Sequence, residues 1–119
     1  MVYLVGGYKL TEDQVLQWCR PRNIDPPKYQ VAGTIDRWLS SQKIPIRLLP
    51  CDYEQKCIFL VVTDRRVDPK GTINDFEPFQ ESERARNIKD RLEIDDVEFV
   101  TVPNPYGVRR LFSMPYCYS

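Results

Sequence analysis

Residues 57–62 read Cys-Ile-Phe-Leu-Val-Val, six apolar side chains in succession. Side chains along a strand point to alternate faces of its sheet, so a strand with one wet face alternates apolar with polar. This run does not alternate, and it is rich in β-branched and aromatic residues that suit strands. It predicts a strand over 57–63 that is covered on both faces, and therefore central in its sheet. Any fold for this chain must supply two covers for that strand. The identity of the second cover is the first pointer to function.

The rest of the chain supplies partners for it. Val2-Tyr3-Leu4-Val5 reads as a short strand, ended by Gly6-Gly7. Thr11, with Gln14 three residues on, has the form of a capping box, and Glu12 and Asp13 place negative charge in the first turn of a helix. Leu10 and Val15 have the spacing of a hydrophobic staple, Val15, Trp18 and Cys19 give the buried face, and Pro21 stops the helix. Asp25-Pro26-Pro27 predicts the start of a second helix, with Val31, Thr34, Ile35, Trp38 and Leu39 on one face and an end near Gln42. A second strand is expected over 44–49, with Pro45 marking a sheet edge, then a turn over 50–55. After the central strand comes a polar connection over 64–77, a third helix over 78–92 and a fourth strand over 97–102. The turn 103–107 leads into a tail that carries Tyr106, Leu111, Phe112, Met114, Tyr116 and Tyr118.

Read as strand, helix pair, strand, strand, helix, strand, this order predicts an α+β fold: a ferredoxin-like βαββαβ sandwich whose first crossover is made of two helices, with a C-terminal aromatic extension. One domain over 1–119 is expected, with its core over 1–103 and the extension over 104–119. That topology puts the first and third strands in the middle and packs the helices on one face. Parity then sends Val2, Leu4, Phe59 and Val61 toward the helices. Tyr3, Val5, Ile58, Leu60 and Val62 point the other way. This second set is apolar apart from one hydroxyl, and an open apolar face marks an interface or a ligand site. Three covers fit it: the aromatic tail, a second copy of the chain, or a ligand. The candidate binding residues are accordingly Tyr3, Val5, Ile58, Leu60, Val62, Tyr106, Phe112 and Tyr116.

Chemistry is restricted by what the composition omits. The chain has no histidine, which removes histidine-based triads and the usual proton shuttle at neutral pH. No residue pattern calls for a cofactor or a metal. Gly6-Gly7 lacks the rest of a phosphate loop. The acidic cluster Asp95, Asp96 and Glu98 reads as a solvated turn, and the pairs Arg65-Arg66 and Arg109-Arg110 as surface charge. Cys19, Cys51, Cys57 and Cys117 lack the close pairs of a zinc site and are expected as thiols. Cys51 and Cys57 flank the expected hairpin turn, which leaves a disulfide between them as the alternative. Lys+Arg and Asp+Glu balance at 17 each, so no overall field draws nucleic acid or an anionic membrane. No apolar run approaches the ~20 residues of a membrane span, and residues 1–13 do not have the form of a signal peptide. A cytoplasmic setting is expected.

Val2-Tyr3-Leu4-Val5-Gly6-Gly7 is similar to the shorter of the two RNA-binding motifs of the RNA-recognition modules, which share this topology. The longer motif places outward aromatics on the third strand. Here Lys56 is in place, but Ile58 and Leu60 stand at the aromatic positions and Cys57 replaces a glycine. The resemblance implies shared topology, which does not carry function. The expectation is a non-catalytic association domain that uses the second sheet face, self-associating as a homodimer or binding a protein partner. The alternative is a small-molecule binder or small enzyme with a pocket between sheet and cover, drawing on Tyr3, Tyr106 and Tyr116. A nucleic-acid binder ranks third.

Overall fold

Residues 1–105 are described by a computed structural model; Tyr106, Phe112, Tyr116 and the Arg109-Arg110 pair lie outside the described residues. Strand β1 spans Val2–Leu10, helix α1 Glu12–Cys19, helix α2 Val31–Ser41, strand β2 Leu48–Tyr53, strand β3 Lys56–Asp68, helix α3 Glu83–Leu92 and strand β4 Glu98–Pro103. A single turn of 3₁₀ helix, Arg20–Arg22, extends α1. These elements make a small α+β domain with a four-stranded antiparallel sheet and three helices. The strand order is β2-β3-β1-β4, so β1 and β3 occupy the middle.

Strand β1 does not end at its glycines. It runs through Gly6 and Gly7 to Leu10, with a bulge in the β1–β3 ladder between them. Each glycine marks a close approach. A Cβ on Gly7 would lie 1.9 Å from the Val61 carbonyl oxygen, and one on Gly6 would meet the Phe79 ring at 2.6 Å. The two glycines therefore admit a neighbour rather than turn the chain.

Helix α1 starts as its sequence dictates. Gln14 N–H donates to Thr11 Oγ1 at 3.2 Å, and Thr11 N–H donates back to Gln14 Oε1 at 2.8 Å. Helix α2 starts later than its prolines suggest. Pro27 and Gln30 close a turn at 2.9 Å, and the helix begins at Val31 with Ile35 and Leu39 buried on one face. Helix α3 also starts late. Ser82 caps it through the Ala85 N–H at 3.0 Å, while Phe79 N–H is held by Thr101 Oγ1 of β4 at 2.9 Å. That cross-sheet bond, with the Phe79 ring over Gly6, keeps 78–82 out of the helix.

The second strand is displaced most from its expected place. Residues 44–47 fold back on the end of α2: Ile44 N–H bonds to the Leu39 carbonyl and Ile46 N–H to the Ile44 carbonyl, both at 2.9 Å. β2 begins where Asp36 Oδ1 accepts from Leu48 N–H at 2.8 Å. Its proline is thus Pro50 rather than Pro45, on an edge strand as proline requires. The hairpin turn sits at Glu54 and Gln55, both at positive φ (50° and 64°).

All three helices pack on one face of the sheet. Tyr8, Leu10, Leu48, Phe59 and Val61 meet Val15, Cys19, Val31, Ala32, Ile35, Leu39, Ala85 and Leu92 in one buried cluster. Trp18 and Trp38 stack edge to face at 5.5 Å beside it. The end of α3 is locked to α1 by polar contacts. The Leu92 carbonyl accepts from Trp18 Nε1 at 2.7 Å and Arg22 Nη2 at 3.1 Å, and the Arg22 guanidinium lies over the Trp18 ring.

Candidate functional site

The other face of the sheet carries a second buried cluster: Val5, Cys51, Ile58, Leu60, Val62, Val100 and Val102, with Tyr3, Leu49 and Tyr53 half-buried against it. Every described member lies on a strand. No residue of α1, α2 or α3 belongs to it. Val5, Cys51 and Leu60 have no exposed surface at all, and Ile58 retains 4%. The chain alone therefore buries this face, although the helices it describes lie on the opposite side.

Strand geometry positions each side chain. Tyr3 and Val5 of β1 share a face by their period of two, as do Ile58, Leu60 and Val62 of β3 and Val100 and Val102 of β4. The registers bring them side by side: Val5 opposite Val102, Leu49 opposite Leu60, Cys51 opposite Ile58. All five candidates from β1 and β3 fall within this one cluster. Tyr106, Phe112 and Tyr116 lie outside the described residues.

Sequence reasoning missed Leu49, Cys51, Tyr53, Val100 and Val102. The alternation Leu49, Cys51, Tyr53 was the available signal. It was hidden because residues 50–55 read as a turn. Val100 and Val102 follow from parity once β4 is set beside β1.

The apolar field has a polar margin. Lys9 Nζ pairs with Glu98 Oε2 at 3.1 Å and lies 5.3 Å from the centre of the Tyr53 ring. Burial pushes the Tyr53 hydroxyl up from its ordinary pKa, helped by the nearby carboxylates of Glu54 and Glu98. At the other end Asn104 binds Tyr3 twice. Its Oδ1 accepts from Tyr3 N–H at 3.0 Å, and its N–H donates to the Tyr3 carbonyl at 2.6 Å. The chain thus leaves β4 beside Tyr3, and Pro105 is buried.

Cys57 corrects the expectation of four thiols: it is disulfide-bonded. Cys19 and Cys51 are buried thiols, so the hairpin carries no Cys51–Cys57 bridge. The two side chains cannot meet across the strands, because Cys51 pairs with Ile58 and Cys57 with Asp52. Burial raises the Cys19 thiol above its ordinary pKa, which suits a core residue rather than a nucleophile.

The remaining candidate groups are engaged structurally. Arg66 donates to the Glu77 carbonyl and covers the Phe79 ring at 4.9 Å, so it fastens the loop before α3. Tyr8, fully buried, donates to Glu81 Oε2 at 2.6 Å, and burial raises its hydroxyl pKa strongly. Among the described residues no three His, Cys, Asp or Glu side chains gather where a metal ion would sit. The void between the sheet and the helices, lined by Leu10, Val15, Trp18, Ile35 and Leu39, is about 20 Å³. That admits one water at most, not a substrate. Among the described residues no helix is long and apolar enough to cross a membrane.

No protein-family model, curated protein or solved structure matches this chain.

Proposed function

We propose that this chain is a non-catalytic association domain whose working surface is the second face of the sheet, and that the face pairs two copies into a homodimer. One observation carries the reading: among the described residues, a cluster of seven buried apolar side chains comes wholly from strands, opposite all three helices. The strand order and the single-sided helices support a ferredoxin-like βαββαβ arrangement, in which the helices lie on the opposite side from that face. Two sheets stack about 10 Å apart when their apolar faces interdigitate. Such a face is suited to pairing with itself. The proposed setting is intracellular.

Light scattering coupled to size exclusion tests this on the full chain in thiol reductant, over a wide concentration range. The expected result is a dimer that dissociates on dilution. A monomer at every concentration overturns the proposal.

A further inference from the structure

β3 outruns its neighbour β2, and the mismatch leaves a notch in the sheet. The last strand pair is Leu48 with Val61, followed by one bond from the Val62 N–H to the Arg47 carbonyl at 3.1 Å. Before Leu48 the chain turns away, because Ile44 and Ile46 are bonded back toward the end of α2. Among the described residues no strand pairs with β3 on that side beyond Val62. The space beside 63–65 is bounded instead by Pro45 and Arg47 and by Arg84 of α3, a cleft of about 330 Å³. A second cleft of about 310 Å³ adjoins it, sharing Pro45 and Arg84 and adding Ile46, Asn87, Ile88 and Arg91.

We propose that this joined cleft binds a small phosphate monoester with the chemistry of a nucleoside monophosphate. Arg47 and Arg84 hold its phosphate, Asp64 accepts from hydroxyls of its body, and the ring portion lies in the second cleft.

Charge selects the class of ligand. The two clefts set four guanidiniums, Arg47, Arg65, Arg84 and Arg91, against one carboxylate, Asp64. The whole chain balances 17 basic against 17 acidic residues, so this is a local surplus that favours an anion. Asp36 is a further carboxylate that feels Arg47, and it is already bonded to the Leu48 N–H. All four cations are arginines. A guanidinium presents its N–H groups as a fork that meets two oxygens of a phosphate at once. Arg47 and Arg84 come from separate elements, so their forks approach from different directions. That suits a tetrahedral group with three free oxygens better than a flat carboxylate with two. The Arg84 side chain is 73% exposed, which leaves it free to turn toward a ligand.

Asp64 is held rather than left to repel the phosphate. Its Oδ2 accepts from the Thr63 hydroxyl at 2.7 Å, and its Oδ1 lies 4.0 Å from Arg84 Nη1. The bulge in the β1–β3 ladder makes this arrangement. Gly6 faces Asp64 and Gly7 faces Val62, so Thr63 has no partner of its own on β1, and its hydroxyl turns to Asp64. A carboxylate so engaged keeps lone pairs for ligand hydroxyls. The second cleft fits the rest of the molecule. Arg84, Asn87 and Arg91 share one face of α3 by their spacing, so this cleft runs along the helix. Ile46 and Ile88 give it apolar walls, and Asn87 brings an amide that both donates and accepts. Each cleft alone stands at the lower end of the roughly 300–1,000 Å³ of small-molecule pockets, and joined they fall well inside it.

Amide NMR on the isotope-labelled full chain, titrated with adenosine monophosphate, inorganic phosphate and adenosine, tests the site. The expected result is saturable binding of adenosine monophosphate, with shifts at 45–47, 62–65 and 84–91. Inorganic phosphate and adenosine should each bind about tenfold more weakly or worse, since each fills only one of the two clefts. Arg47→Gln and Arg84→Gln should each cost about tenfold in affinity, the loss of a charge-assisted bond. Both side chains are exposed, so the thermal melts should not change. Arg37→Gln, exposed on α2, should alter neither readout. Absence of saturable shifts at about 5 mM adenosine monophosphate, where a Kd of about 1 mM would already show, overturns the proposal. Shifts centred elsewhere, affinity indifferent to both arginines, or inorganic phosphate binding as tightly as the ester also overturn it. A single-stranded oligonucleotide or an acidic peptide that binds about tenfold tighter than the mononucleotide overturns it in favour of a macromolecular partner.

Discussion

Leu60→Ala tests whether the second face is a desolvated core. Leu60 is central on both counts: it has no exposed surface, and β3 is flanked at that point by Leu49 of β2 and Lys9 of β1. The substitution deletes three buried carbons, about 2.4 kcal/mol of transfer free energy at about 0.8 kcal/mol each. Strands on both sides prevent the site from collapsing, so a cavity term brings the total to about 3–4 kcal/mol. With a urea slope of about 1.5–2 kcal/mol per molar, the unfolding midpoint falls by about 2 M. Fluorescence is a suitable probe, since Trp18 and Trp38 pack together on the opposite face and report global unfolding. Val67→Ala, at a side chain 49% exposed, is the control and should cost no more than about 0.5 kcal/mol. If both variants melt at the same urea concentration, the face is solvated and the reasoning from burial fails.

Gly7→Ala should cost about 3 kcal/mol or prevent folding, because its Cβ would overlap the Val61 carbonyl and backbone must shift to admit it; a circular-dichroism melt unchanged from the parent refutes this. Asp36 divides into two variants. Asp36→Ala leaves the Leu48 N–H without its acceptor and should cost about 1–3 kcal/mol, whereas Asp36→Asn keeps an acceptor and loses only the charge. Burial raises the Asp36 carboxyl above its ordinary value, outweighing the Leu48 N–H and Arg47. The folded chain therefore holds that proton more tightly than the unfolded one. Its contribution is full below the unfolded pKa and is lost as pH rises through the folded pKa. Denaturant titrations should accordingly show Asp36→Asn gaining on the parent as pH rises from about 3 to 7, and a constant difference would refute the assignment.

The central strand was legible because burial on both faces leaves no polar alternation, and the parity of Phe59 against Leu60 follows from the period of two alone. Thr11 and Gln14 announced α1 because a capping box is a local bond between neighbours in sequence. The features that were hidden depend on distant contacts. Gly6 and Gly7 read as a strand end, since nothing nearby shows that Val61 and Phe79 would need the space of two missing side chains. The β2–β3 turn carries Glu54 and Gln55 at positive φ in place of the asparagine and glycine that prefer it. The hairpin was therefore misplaced, and Cys51 and Tyr53 dropped out of the site. Asp36 starts β2 from a helix a dozen residues away, a signal that exists only after α2 has packed. The state of Cys57 was hidden for the same reason: Cys51 was near in sequence and wrong in parity.

The two faces of this sheet are held by different kinds of force, and that difference is why the association proposal falls on the second. On the helix side, apolar packing is supplemented by directional bonds. The Leu92 carbonyl binds Trp18 and Arg22, Asp36 fixes Leu48, and Tyr8 is tied to Glu81. Exchanging any helix for another partner would strand a buried donor or acceptor, at a cost of about 1–3 kcal/mol for each group. The second face gathers valine, leucine, isoleucine and cysteine side chains, whose attraction scales with buried area and has no preferred direction. A surface of that kind accepts one apolar cover in place of another with little penalty, provided the area buried is similar. It also cannot be left wet, since seven contiguous apolar side chains in water favour aggregation.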